Sequence, residues 1–296
     1  MLFLTLEFES KDLGQGENKM RKPLIIYLKK NKLAFTATLV VFAISLSAAC
    51  GPMLYPINPT SIDLESIKLP PSFQHPCGTD SKGRDILSRI LWGARISLSI
   101  SVSAALGSLL IGLFLGLISG YFGGKLDTII TMVIDLTLAF PSLLLAIAIS
   151  IVLPPGLLTV VIALSLVGWA SFARLIRGLI IVLKESLFVE ASRSIGCSNW
   201  RIIFRHLLPN SLSTILVALS LKLGTFILAE SALSFLGLGV QPPAPTWGSM
   251  ISLNRIYINS APWMIIFPGF AIALTTFAFN ILGDSLRDYL DPHLNI

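Results

Sequence analysis

The sequence predicts an all-α, polytopic membrane protein with six transmembrane helices, and three observations carry that prediction. Of 296 residues, 54% are hydrophobic and only 13% charged, whereas a soluble domain carries roughly 25% charge. Several apolar stretches reach the ~20 residues that cross a bilayer. The basic residues divide unequally among the connecting segments, as they do when Lys and Arg are retained on the cytoplasmic side.

The elements follow in order. Residues 1–32 form a polar cytoplasmic segment ending in a basic cluster, Arg21, Lys22, Lys29, Lys30 and Lys32. The first span is 33–52. "LSAAC" at 46–50 faintly resembles a lipoprotein cleavage site, but the polar lead-in is long for a signal peptide and more spans follow, so the span is read as uncleaved. Residues 53–95 are polar and Pro-rich, an extracytoplasmic segment ending in an amphipathic helix. There Ile86, Leu87, Ile90 and Leu91 are expected to face the membrane, and Asp85 and Arg89 to pair at i, i+4. "GTDSKGRD" (78–85) has Lys82 and Gly83 at the wrong positions for a calcium loop.

A five-helix core follows over 96–283, with spans at about 96–121, 128–152, 157–179, 211–233 and 262–283, and a cytoplasmic tail, 284–296. With the N-terminus inside, the outer segments hold Lys68, Lys82, Arg84, Arg89, Arg95 and Arg255. The rest of the 22 basic residues, Lys222 within a span apart, fall in inner segments. Both termini are then cytoplasmic, as is segment 186–209 between the fourth and fifth spans. Pro141 is expected to kink the third span.

Gly112, Gly116 and Gly120, extended by Ala104 and Ser108, make a small-residue row. Such a row lets two helix backbones approach closely in lipid, within the chain or against another subunit. Asp135, Lys222 and Glu230 fall within spans. Intramembrane charge is costly and marks either a translocation pathway or a structural pair. Glu230, nearest the outer end of its span, is the first candidate for touching a solute.

Several functions are excluded or weakened. Cys50, Cys77 and Cys197 are too scattered for a disulfide framework or a zinc site, so no metal is expected. No repeat of fixed period occurs. The net charge of +6 forms no basic domain with interleaved aromatics, which argues against nucleic acid. "GYFGGKLD" (120–127) lacks the spacing of a P-loop, so the chain has no ATP chemistry, no catalytic residue and no cofactor of its own. An intramembrane aspartyl protease would need Asp135 and Asp284 to face each other. A stand-alone carrier would usually show repeated halves.

Segment 190–210, "EASRSIGCSNWRIIFRHLLPN", is charged and helix-patterned between two apolar runs. A short helix around 187–195 reverses at Gly196, where φ > 0 is expected. Ser198 is placed to cap a second helix running to about Leu208. Trp200, Ile203, Phe204 and Leu207 fall on one face of it, with Arg201 and Arg205 off that stripe. Pro209 begins the next span. The pattern alone fits an interfacial helix or a docking element for a cytoplasmic partner.

The same residues resemble the cytoplasmic signature of ABC importer permeases: Glu-Ala-Ala, three residues, Gly, nine residues, Ile-x-Leu-Pro. Here the series is Glu190-Ala191-Ser192, Gly196, then His206-Leu207-Leu208-Pro209, with Ser192 and His206 as the departures. Stretches 75–127, 231–250 ("SALSFLGLGVQPPAPTWGSM") and 268–292 resemble the C-type permease of the dipeptide/oligopeptide/nickel importers; only residues 1–20 look idiosyncratic. The resemblance implies a type I importer permease in the bacterial inner membrane. It implies a second, B-type permease, two cytoplasmic ATPases carrying ATP and Mg, and an extracytoplasmic solute-binding protein as partners. Glu190, Ala191, Gly196, Trp200, Ile203, Phe204, Leu207 and Pro209 would then couple to an ATPase. Peptides are the solute it implies, with nickel chelates or glutathione-like compounds as alternatives.

Overall fold

The computed structural model describes residues 31–290. The basic cluster before Asn31 and the end of the tail lie outside that range. Helix α1 (Lys32–Leu54) starts where the Asn31 side chain accepts from the Ala34 amide at 3.2 Å. Helix α2 (Ile86–Phe122) starts in the same way, with Asp85 accepting from the Ser88 amide at 2.8 Å. It then runs unbroken for 37 residues. The amphipathic helix expected before the second span is therefore its first turns. Two expectations made there fail. Ile86 faces inward, packed with Met250, Ala261 and Met264. Asp85 is occupied by its cap and by Tyr55 and His75, so Arg89 turns instead to Asp80.

Helices α3 (Gly124–Ala139) and α4 (Ser142–Val152) meet at a bend of 93°. The cause is local. Pro141 lacks an N–H and forces Phe140 into extended backbone, with φ −91° and ψ 141°. The proline breaks the span outright where only a kink was expected.

Helix α5 (Leu157–Leu183) lies along α2. A Cβ on Gly112 would come within 3.0 Å of Phe172, Trp169 and Ala173. Gly116 meets Ala173 and Ile176, and Gly120 meets Arg177 and Ile180. The small-residue row is thus spent inside the chain. Its numbers rise together with those of α5, so α2 and α5 run parallel. The chain between them must return from one face to the other, and the bent pair α3–α4 makes that return. With five long apolar helices this gives six crossings among the described residues.

The remaining elements are α6 (Leu187–Ser194), α7 (Asn199–Ile202), a π-turn (Ile203–Leu207), α8 (Leu208–Phe235), α9 (Trp247–Asn254) and α10 (Trp263–Leu290). Gly224 of α8 abuts Thr276 and Asn280 of α10, and Gly283 abuts Leu221, so these two helices are antiparallel. One face of the molecule then holds residues 184–207 with the C-terminal ends of α2, α5 and α10. The opposite face holds residues 55–85 and α9. The core between them is built from Ile100, Leu117, Phe172, Ile176 and Ile180. Among the described residues there is no strand, only an isolated Thr79–Asp85 bridge.

The 55–85 loop is fixed by two buried carboxylates. Asp80 Oδ2 takes the Arg84 guanidinium at 2.7 Å, and its Oδ1 accepts the Lys82 and Arg84 amides. Arg89 donates to the Pro59 carbonyl at 2.7 Å. Gly83 has φ +72°, and a Cβ there would strike the Asp63 carbonyl. Asp85 accepts from Tyr55 at 3.1 Å and contacts His75 Nδ1 at 2.8 Å. Burial and the Asp85 charge push the Tyr55 phenol up to about 12.

Candidate coupling segment and the charged groups of the spans

Helix α6 ends in a Schellman motif. The Cys197 amide donates to Ser192 O at 3.0 Å, and the Gly196 amide to Arg193 O at 2.9 Å. Gly196 has φ +81°, and nothing lies within 4 Å of a Cβ built there. Conformation alone, with no steric demand, selects glycine. Ser192 is buried and its hydroxyl donates to Phe188 O at 2.7 Å. The sequence thus departs from Ala by adding one satisfied hydroxyl. Glu190 and Ala191 are exposed on α6.

Ser198 holds extended N-cap geometry, but its side chain makes no cap bond. The anchor is its neighbour: Tyr121 of α2 donates to Asn199 Oδ1 at 2.9 Å. The helix does not stop at Leu208. Helix α7, the π-turn and α8 form one continuous run, Asn199–Phe235. Pro209 lacks the N–H that would reach Arg205 O, and its ring would crowd that carbonyl. The π-turn relieves both, since the Leu208 amide reaches back to Ile203 O.

This register corrects the expected stripe. Ile203 and Leu207 are fully buried, joined by Ile202. Trp200 and Phe204 point outward, 53% and 56% exposed. Two pairs four residues apart diverge, because the core claims one row and leaves the other to solvent. The exposed rings stack at 5.9 Å and 18°, with Phe122 edge-on to Trp200 at 6.1 Å. Leu187 and Ile195 of α6 are also exposed, 83% and 80%. Sequence reasoning missed Phe122, which sits in a distant span end without any local signal.

The charged groups of the spans fall into three situations. Asp135 pairs with Arg174 of α5, both more than half exposed. Asp127 holds Arg177 through two bonds of 2.6 and 2.7 Å. Glu230 is fully enclosed, accepting from Ser234 at 2.7 Å and Ser231 at 3.4 Å. Glu230, the first candidate for touching a solute, is enclosed in this chain and lines neither cavity that holds Lys222. The serines and the α2 packing give its carboxylate hydroxyl partners inside the chain. Lys222 has neither a hydrogen bond nor an ion pair among the described residues. It lines a cavity of about 300 Å³ with Ser142, Ser171 and Thr225.

Comparison with known proteins bears on this geometry. The family described as "Binding-protein-dependent transport system inner membrane component" matches residues 112–296. The chain belongs to that family. An "N-terminal TM domain of oligopeptide transport permease C" matches residues 24–71 of the permease. The permease is 46% identical over 267 residues to the dipeptide transport system permease protein DppC of Alkalihalophilus pseudofirmus, covering 90% of this chain and 88% of the relative. It is 45% identical over 267 residues to the glutathione transport system permease protein GsiD of Shigella flexneri, again 90% and 88%. It is 41% identical over 286 residues to the oligopeptide transport system permease protein OppC of Bacillus subtilis, covering 97% and 94%. Among solved structures, an inward-facing MetNI methionine ABC transporter chain aligns with TM-score 0.56 at 18% identity, covering 67% of this chain and 95% of that one. That likeness concerns the fold. The permease is therefore a multi-pass inner-membrane transport subunit and no enzyme, and its family works with a binding protein and an ATPase.

Proposed function

We propose that this permease forms half of the translocation pathway of an ATP-driven importer of di- or oligopeptides. Residues 190–209 lie in the cytoplasm and couple it to an ATPase. A B-type permease supplies the other half, two cytoplasmic ATPases hold ATP and Mg, and an extracytoplasmic binding protein delivers the solute. Segments 1–32 and 284–296 are cytoplasmic in this reading, on the basic-residue division. One observation carries it: a stacked Trp200–Phe204 pair stands exposed on a helix whose other row, Ile203 and Leu207, is locked into the core. A push on the rings moves a rigid body continuous with α8.

The peptide reading rests on the relatives named for dipeptide and oligopeptide transport. The GsiD relative favours a second solute, glutathione, itself a peptide. The test is reconstitution of the four-component transporter in liposomes with its binding protein. ATP-driven uptake of labelled dipeptide is expected. Uptake by the lone chain without ATP would overturn the proposal.

A further inference from the structure

We infer that Lys222 anchors a mid-membrane site for the carboxylate of the transported solute, in the open cavity lined by α3–α4, α5 and α8. The inference rests on the importer reading above and adds the solute chemistry that this subunit recognises.

Position comes first. Lys222 lies at the middle of the 28-residue α8. Either end of the helix is roughly 20 Å away, farther than a lysine side chain can snorkel. An ammonium at that depth is costly unless water or an anion meets it.

Charge comes next. The neighbouring intramembrane cations are already neutralised, Arg174 by Asp135 and Arg177 by Asp127. The carboxylate on the same helix, Glu230, is sealed away among serines. Lys222 is thus left without a carboxylate partner among the described residues, on its own helix or beside it.

The surroundings suit an anion. Lys222 borders two adjoining cavities, of about 300 and 220 Å³, which share Ser171 and Thr225. The hydroxyls of Thr225 and Ser142 make no hydrogen bond among the described residues, so both are free to donate. Ser142 is also the first residue of α4, and first-turn amides have no partner within their own helix. Leu138, Phe140, Leu143 and Phe226 form much of the remaining wall. One cation, two free hydroxyls and an apolar wall make a site that holds a carboxylate briefly. A transport pathway needs such a site, because tight binding would stall release.

Glutathione and simple peptides all carry this carboxylate, so the site does not choose among them. It sets a minimum: a solute with an anionic group.

The experiment uses the complete reconstituted transporter with its binding protein and a free-acid dipeptide. Per-complex uptake and the yield of assembled complex are measured on each preparation for wild type, Lys222→Arg, Lys222→Met and Lys222→Glu. The expected order of uptake is wild type, close to Arg, then Met, then Glu. Loss of one charge-assisted contact predicts a tenfold to hundredfold drop for Met, on the order of that contact's usual strength. Yields should match across the series. Uptake by Lys222→Met within twofold of wild type overturns the site. So does a loss confined to yield, which would mean that a carboxylate of the second permease pairs with Lys222. Absence of ATP-driven uptake in the wild type itself would instead sink the importer reading, and the wild-type control reads that separately.

Discussion

On one face of the permease, Asp80 is buried between Arg84 and Arg89, and every arm of that cluster is bonded within the chain. On the other face, Trp200 and Phe204 stack on each other with Phe122 edge-on to Trp200, and both rings of the pair remain more than half exposed. Both regions were polar-looking interruptions in an apolar sequence. The first spends its charges internally and closes a loop over the helix ends. The second buries its apolar row and presents its aromatic row. On the proposed function, the difference separates a region that needs only its own chain from one that meets an ATPase. It predicts that damage to the first will appear as lost stability, and damage to the second as lost coupling.

The largest effect should come from breaking the self-contained side. Asp80→Ala leaves Arg84 and Arg89 buried without a counter-charge. Removing one partner of a buried pair costs about 3–5 kcal/mol. Thermal unfolding of purified permease in detergent should shift down by several degrees, and the folded yield should fall. An unchanged midpoint would show that the loop contributes no stability, and the contrast between the faces would fail.

A smaller effect on stability, with a large one on coupling, should follow on the other side. Trp200→Ala and Phe204→Ala remove exposed rings, so the melting midpoint should barely move. If they are anchors at an ATPase surface, each is worth about 2 kcal/mol, or roughly thirtyfold in affinity. Titration of purified ATPase onto the permease reads this directly. Leu207→Ala, one row away and fully buried, should behave oppositely, losing about 2–5 kcal/mol of stability. If all three variants lose stability alike, the two rows are not distinct.

The sequence made much of this legible, for identifiable reasons. Span positions follow from hydropathy, and the φ of Gly196 follows from a helix pair that must reverse. The glycine row could be read as a close approach, though not assigned to α5 until the parallel register was seen. The split of the stripe was not legible, because a 3.6-residue period cannot anticipate a π-turn forced by Pro209. The partners of Asp135 and Glu230 were hidden for another reason. Arg174 is 39 residues away on another helix, while Ser234, one turn along the same helix, looks like ordinary span filler. The Asp85–Arg89 pair was wrongly expected because spacing alone ignores the cap that Asp85 makes and the longer reach to Asp80.

The smallest effect concerns Cys77, which sits in the self-contained region beside Asp85. Burial first, and the Asp85 charge second, push its thiol up to about 11. Alkylation proceeds through the thiolate. At pH 8 Cys77 should therefore carry on the order of a hundredfold less thiolate than an ordinary cysteine. In a variant with Cys50→Ser and Cys197→Ser, iodoacetamide labelling of native permease should be slow. Its rate should rise about tenfold per pH unit up to pH 10, without levelling near 9. Levelling near 9 would mean that the thiol is solvated and the region open. Adding Asp85→Asn tests the smaller cause alone. Asn caps a helix as well as Asp: its Oδ1 can keep the Ser88 bond, and its amide NH2, in the place of Oδ2, can donate to the Tyr55 hydroxyl, so the fold should hold. The negative charge disappears but the burial remains, so labelling at pH 8 should quicken only a few-fold. A rate restored to that of a free thiol would mean that charge, and not enclosure, governs the site. The 55–85 loop would then be a charged surface with solvent around it, closer in kind to the face of Trp200 and Phe204 than the buried Asp80 cluster implies.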